Sequence, residues 1–216
     1  MRAGVLVLGP LLAKFGIAKV SLPGGCSIGS RPIDLHLKAL KKMGAQIKVK
    51  NGYILASAKK GLTGCLIRFP KISVGATENI LIAACFSKGT TRLRNCASEP
   101  EVKDLINFLK KLGCKINQTG ERSINIQGVK ELRPANHKVI FDRIEAGTYI
   151  IAAAITNGKI KITNIDPKII NTELNLLSKM KIKIKKRKNF VLIKGLKKIK
   201  NIKVETKPYP GFPTDL

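Results

Sequence analysis

The stretch ATENILIAACFSKG, residues 76–89, opens on small and acidic residues, runs apolar and stops at glycine, which reads as a buried helix with a glycine C-cap. Two variants of it occur elsewhere, RAGVLVLGPLLAKFG at 2–16 and EAGTYIIAAAITNG at 145–158. Each leads into a short β-like run (AKVSL, TTRLRN, KIKITN), then a loop, then an amphipathic helix. Those second helices, DLHLKALKKMGAQI, EVKDLINFLKKLGCKI and TELNLLSKMKIKI, carry Leu or Ile at i, i+3, i+4 spacing. A two-strand hairpin closes each unit, as in AQIKVKNGYILAS, where Asn51-Gly52 supplies the turn. Gly44 and Gly113 occupy equivalent places 69 residues apart, and Lys181 follows 68 further on. The chain therefore reads as three copies of one α/β unit of about 70 residues. In the third copy, the apolar face with Ile155, Ile160, Leu174 and Leu177 is expected to lack the neighbours that bury it.

Composition bounds the function. The 216 residues are 44% hydrophobic, enough for a sizeable core. Lys and Arg number 41 against 13 Asp and Glu, a formal +28, so polyanions are attracted. The cations are mostly Lys, spread over every segment, and Trp is absent, whereas nucleic-acid readers favour Arg forks and stacking aromatics. A lysine-rich solvated surface is the favoured reading, and such a surface suits small anionic substrates. Five cysteines, at 26, 65, 85, 96 and 114, form no C-x-x-C pair, which points to a reducing compartment, without a disulfide frame or zinc site. The N-terminal apolar run resembles a weak signal peptide, but the repeat accounts for it better. A cytoplasmic protein with no membrane partner is expected.

Differences between the copies show where something besides folding is selected. The loop before the second helix is IDPKIIN in the third copy and CASEPE in the second, but PGGCSIGSRPI in the first. The additions bring backbone amides, a cation and a nucleophile to one spot, where a helix N-terminus can hold an anion. Cys26, near Arg31 and helix-start amides, is expected to have a lowered pKa, and the other four cysteines to be inert core residues. A second set of unusual loops, RFPKISVGAT, VIFDRIEAGT and PYPGFPTDL, recurs where one unit hands over to the next. Lys71, Ser73 and the amides around Gly75 make a diphosphate seat, although Ser73 and Thr77 read equally well as helix caps.

PGGCSIGSRPIDLH, KISVGAT, SEPE, DRIEAGT and PYPGFPTDL together resemble the UDP-N-acetylglucosamine 1-carboxyvinyltransferases, enolpyruvyl transferases that open peptidoglycan precursor synthesis. The resemblance covers essentially the whole chain. It implies an inside-out α/β barrel of six repeated helix-and-sheet units in two domains, with the site in the cleft between them and three repeats present here. Residues 1–140 would be the last two repeats of the first domain, and 141–216 the first repeat of the second. The sister enzymes acting on shikimate 3-phosphate share that fold but lack the cysteine loop.

By this resemblance Cys26 is the proton donor to the enol carbon, able to form a covalent adduct with phosphoenolpyruvate, and Asp215 is the base for the attacking hydroxyl. Arg2 and Arg31 match anion-binding cations. Arg31, Pro32, Ile33, Asp34 and Leu35, with His36 beside them, match the segment that holds the uridine end. Lys71, Ile72, Ser73 and Val74, followed by Gly75, match a second nucleotide-sugar segment. The substrates implied are UDP-N-acetylglucosamine and phosphoenolpyruvate, with no cofactor or metal; the implied family context is cell-wall synthesis and division, with fosfomycin-type epoxides as inhibitors. The family's phosphoenolpyruvate-gripping lysine and asparagine would precede Met1, so a fragment is expected, with a further chain supplying the missing repeats. Beside the enzyme stand two other readings, an inactive remnant that binds UDP-sugar or a partner, and a basic nucleic-acid-binding protein.

Overall fold

A computed structural model describes residues 2–24 and 33–216. The chain divides into two compact units, Met1–Lys138 and Val139–Leu216. Cys26, Arg31 and Pro32 lie outside the described residues, as does the side chain of Arg2.

The first unit begins with a 3-10 helix, Arg2–Val7, that runs into α1, Leu8–Phe15. The change of winding falls just before Pro10, whose nitrogen has no hydrogen to give the carbonyl four residues back. Gly16, at φ 72°, ends α1, and its N–H reaches the Leu12 carbonyl. There follow β1 (Ile17–Ser21), α2 (Asp34–Lys42), β2 (Gln46–Lys50) and β3 (Tyr53–Ser57). The second copy comprises β4 (Leu66–Arg68), α3 (Val74–Ala84), β5 (Thr90–Arg94), α4 (Pro100–Lys111), β6 (Lys115–Gly120) and β7 (Ser123–Gln127). In the second unit lie α5 (Arg143–Ile155), β8 (Lys159–Thr163), α6 (Asn171–Lys179), β9 (Lys183–Arg187) and β10 (Phe190–Lys194).

The three sheets repeat one topology, with strand orders β1-β3-β2, β5-β7-β6 and β8-β10-β9. In each, the last strand pairs antiparallel with both others and is inserted between them. The second helix of each copy makes the crossover this requires, because its flanking strands run parallel. The middle sheet gains β4, parallel to β5. Strand alternation turns Ala18, Val20, Ile54 and Ala56 inward while Lys19, Lys48 and Lys50 face out. In the first unit, Leu8, Leu12, Leu40, Ile80, Leu81, Leu93 and Ile126 join one buried cluster. The segment after β7 is strapped along α4, through Arg133 N–H to the Leu112 carbonyl, Lys111 Nζ to the Asn136 carbonyl, and His137 Nε2 to Asp104 Oδ1 at 3.0 Å.

Two local expectations fail. Gly89 and Gly158 do not cap α3 and α5, which end earlier at Cys85 and Thr156. Gly89 instead uses its positive φ just ahead of β5, and in the third copy Asn157 takes the left-handed position. The apolar face of the third copy also finds neighbours. Leu174 and Leu177 are buried with Ile150, Val191 and Ile193, Ile160 is half-buried, and Ile155 is the member left 68% exposed.

Candidate functional site

Two segments singled out by sequence meet at one end of the first unit, where α2 and α3 begin. Ile33 precedes α2, and Asp34, Leu35 and His36 form its first turn. Leu35 and His36 are buried, while Ile33 and Asp34 are half-buried. The His36 ring edge lies against Gly75, such that a Cβ there would stand 3.4 Å from Cε1 and 3.6 Å from Nε2. A glycine at the second residue of α3 thus lets an imidazole sit on the helix start. Asp34 accepts a hydrogen bond from Lys38 at 3.2 Å, which holds its carboxyl below the usual carboxylate range, with a smaller contribution from the charge of Lys71.

The start of α3 is set by Ser73, whose Oγ accepts the Ala76 N–H at 3.3 Å. Lys71 is exposed, and Ile72, Ser73, Val74 and Gly75 are half-buried. Thr77 is no cap. Its hydroxyl donates to the Ser73 carbonyl at 2.8 Å and accepts the Ala97 N–H at 3.0 Å, which ties α3 to the loop before α4. Two helix N-termini beside the exposed Lys71 together favour an acceptor-rich, anionic ligand.

Sequence reasoning missed Asn79, which is fully buried one turn into α3. Its Oδ1 accepts the Gly9 N–H at 2.8 Å, and its Nδ2 reaches the Val5 carbonyl and His36 Nδ1, both at 3.0 Å. One amide therefore joins α3 to α2 and to the segment that begins at Arg2. The available signal was an amide at the last of three polar residues, Thr77, Glu78 and Asn79, that lead into the apolar run ILIAA. A carboxylate group was missed as well. Half-burial pushes the Glu78 carboxyl up to about 7, helped by the charges of Glu101 and Glu99. Glu99 is 4% exposed, and its Oε2 has no hydrogen-bond partner among the described residues.

Of the described cysteines, Cys85, Cys96 and Cys114 are buried and Cys65 is half-buried. Burial raises the Cys65 thiol and pushes that of Cys96 up to about 11. The thiols of Cys85 and Cys114 share a hydrogen bond that raises the first and lowers the second. Asp215 is exposed in a turn of the second unit, and Asp142 caps α5 there by accepting the Ile144 and Glu145 N–H groups at 2.8 and 3.0 Å. A cleft of about 720 Å³ beside α1 and the first sheet is lined by Leu11, Phe15, Ile17 and Leu55, and by none of the predicted site residues. Among the described residues, no group of His, Cys, Asp or Glu is arranged to hold a metal ion, and no helix is long and apolar enough to cross a membrane.

Three helix-and-sheet copies with inserted last strands, the α2 and α3 starts meeting within the first unit, have the build of an enolpyruvyl-transferase fold. The model of the EPSP synthase (3-phosphoshikimate 1-carboxyvinyltransferase) family matches residues 1–216, and the chain belongs to that family. It is 63% identical over 216 residues to the UDP-N-acetylglucosamine 1-carboxyvinyltransferase of Pelagibacter ubique (strain HTCC1062), and 52% identical to that of Geotalea uraniireducens (strain Rf4). All of this chain is covered in both comparisons, and 52% of each relative. The chain thus spans about half the length of the curated relatives it matches. Among solved structures it is similar to the enolpyruvyl transferase NikO from Streptomyces tendae, with a TM-score of 0.80 at 24% identity, covering 97% of this chain and 51% of that one. An EPSP synthase from Acinetobacter baumannii gives a TM-score of 0.64 at 21% identity, covering 93% and 48%. These two likenesses concern the fold.

Proposed function

We propose that this chain serves transfer of the enolpyruvyl group of phosphoenolpyruvate to the 3-hydroxyl of UDP-N-acetylglucosamine, with release of phosphate, in the cytoplasmic synthesis of peptidoglycan precursors. The observation that carries the reading is the contact of His36 with Gly75, which joins the segments 33–36 and 71–75 into one anion-favouring surface. The names of relatives at 52–63% identity support the choice of UDP-sugar over a shikimate acceptor, as does the cysteine loop of residues 23–33.

In this reading, the first unit carries two repeats of the cysteine-bearing domain and the second unit one repeat of the other. Lys71, Ser73 and the amides at Val74 and Gly75 hold the nucleotide sugar together with Asp34, Leu35 and His36, while Arg2 and Arg31 hold anionic groups. Asp215 takes the proton of the 3-hydroxyl as its oxygen bonds to C2 of the enolpyruvyl group, and Cys26 gives a proton to C3. Loss of a proton from C3 then restores the double bond as the C2–O bond to phosphate breaks. Each step needs acid and base on opposite faces of a closed cleft, with reacting atoms about 3–3.5 Å apart.

Calorimetric titration of the chain with UDP-N-acetylglucosamine tests the binding half, and Lys71→Ala is expected to weaken it about 10-fold. Turnover is expected when the remaining repeats are supplied by co-expression, and to be lost in Cys26→Ser with UDP-sugar binding retained. Labelling by the epoxide fosfomycin at any cysteine other than Cys26, or phosphate release independent of UDP-sugar, would refute the assignment.

A further inference from the structure

We propose that the outer face of the sheet β8-β10-β9 is a docking surface for an anionic phospholipid bilayer, which it meets as a peripheral contact. This goes beyond the UDP-sugar reading and involves none of its residues.

Strand register assembles the face. Lys159, Lys194 and Lys183 lie side by side in one row, Leu192 lies between Lys161 and Lys185 in the next, and Phe190 lies beside Arg187 in the third. All six cations are exposed, whereas Val191 and Ile193, which alternate with these positions on β10, are buried. The three strands carry no acidic residue, and among the described residues none of the six cations forms an ion pair. A strand spacing of about 4.8 Å and a rise of about 3.4 Å per residue put them within about 10 by 14 Å. They look scattered in sequence because they alternate with other residues on three separate strands. The first sheet provides the comparison. Lys19 and Lys48 flank Leu55 there, and Lys19 Nζ lies over the Tyr53 ring at 4.6 Å, as Lys161 Nζ lies over Phe190 at 4.6 Å. Where the third copy has Lys159, Lys194 and Lys183, however, the first has Ile17, Ser57 and Gln46. Three like charges in one row oppose folding, so folding of the sheet does not account for them. An anionic surface laid against the row turns that repulsion into attraction. Lipid fits better than nucleic acid, because lysines are point charges without the guanidinium fork, and the one ring on the face is already covered by Lys161 rather than open to a base. Lysine stems beside Leu192 also suit the boundary between headgroups and acyl chains. A second copy of this chain, at +28, would be repelled.

Sedimentation with sucrose-loaded vesicles measures the contact. The chain is expected to bind vesicles of phosphatidylglycerol and phosphatidylcholine in equal parts at about 0.1 M salt, to leave them at about 1 M, and to ignore pure phosphatidylcholine. Each lysine near an anionic leaflet contributes about 5-fold, so Lys159→Gln/Lys183→Gln/Lys194→Gln should weaken binding about 100-fold. Relief of like charge keeps that variant folded, which a thermal melt checks, and Lys161→Gln/Lys185→Gln probes the same face independently, with a loss of about 25-fold. Lys19→Gln/Lys48→Gln/Lys50→Gln removes as much charge from the first sheet and should cost a few-fold at most. Equal losses in the two triple variants would mean that net charge alone is read, and would overturn the proposal. Tighter binding to a DNA duplex than to the vesicles, lost in the same third-sheet variants, would give the face to nucleic acid instead. Vesicle binding should persist when the remaining repeats are co-expressed, and its loss would show that the rest of the protein covers the face.

Discussion

Gly9 donates its backbone N–H to Asn79 Oδ1 across 2.8 Å, a buried bond between α1 and α3 spanning 70 positions of sequence. The helices approach so closely there that a Cβ on residue 9 would overlap both Oδ1 and the carbonyl oxygen of Asn79. Gly9→Ala is expected to cost about 1–3 kcal/mol through overpacking, although alanine is the better helix former. A lower urea midpoint at unchanged m-value would show it. A midpoint equal to wild type would mean that the helices have room to part.

Glu78 gives a pH prediction with a definite sign. Its folded-state pKa, about 7, exceeds its ordinary 4.5, so the native state binds the proton more tightly than the unfolded chain does. The stability associated with this group is fully present below about 4.5 and is lost as pH rises through about 7. Glu78→Gln should flatten that decline and leave the variant more stable than wild type at pH 8, by about 1–2 kcal/mol once solvent screening of a half-buried group is allowed for. Denaturant titrations at pH 5 and pH 8 measure it, and parallel decline in both proteins would rule it out.

Thiol reactivity should follow burial and local charge. Cys85, Cys96 and Cys114 are expected to resist iodoacetamide in the native chain and to react on unfolding, with Cys65 slow because burial raises its thiol. Cys26 should be alkylated first, for the reasons of sequence given above. Peptide mapping over a time course gives the order, and early labelling of Cys96 or Cys114 would contradict it.

Lys194 faces Lys183 on one side and Lys159 on the other, directly opposite in register and all exposed. Like charges so placed are unfavourable, so Lys194→Glu should stabilise the second unit by about 1 kcal/mol at low salt, with most of the gain gone at about 1 M. Thermal melts at the two salt concentrations test this. No difference at low salt would mean that the lysine stems splay far enough into water to avoid one another.

The copies were legible in sequence because the signals that define them are local. Asn51 and Gly52 both take positive φ, at 51° and 74°, as their turn requires, and the second helices bury the apolar stripe that their spacing predicts. Gly16 caps α1 as expected. Gly89 and Gly158 were misread because a glycine after an apolar helix signals only freedom to turn, and the helix can stop several residues before that freedom is used. The repeat pattern by itself leaves Leu174 and Leu177 without neighbours, yet Val191 and Ile193 of their own copy's sheet join them in one buried cluster.

The sequence by itself determined the repeat, the strand and helix order, and which loops depart from the pattern, since these follow from backbone preferences and from side-chain periods of two and 3.6 residues. Only the tertiary structure decided that Asn79 reaches His36, that Gly9 must lack a side chain, and that Glu78 keeps its proton to about pH 7. Asn79 meets partners 43, 70 and 74 residues away, and Glu78 is set by the burial and the charges around it. Long-range hydrogen bonds and desolvation depend on what the fold carries into the same few ångströms, and no local pattern encodes that.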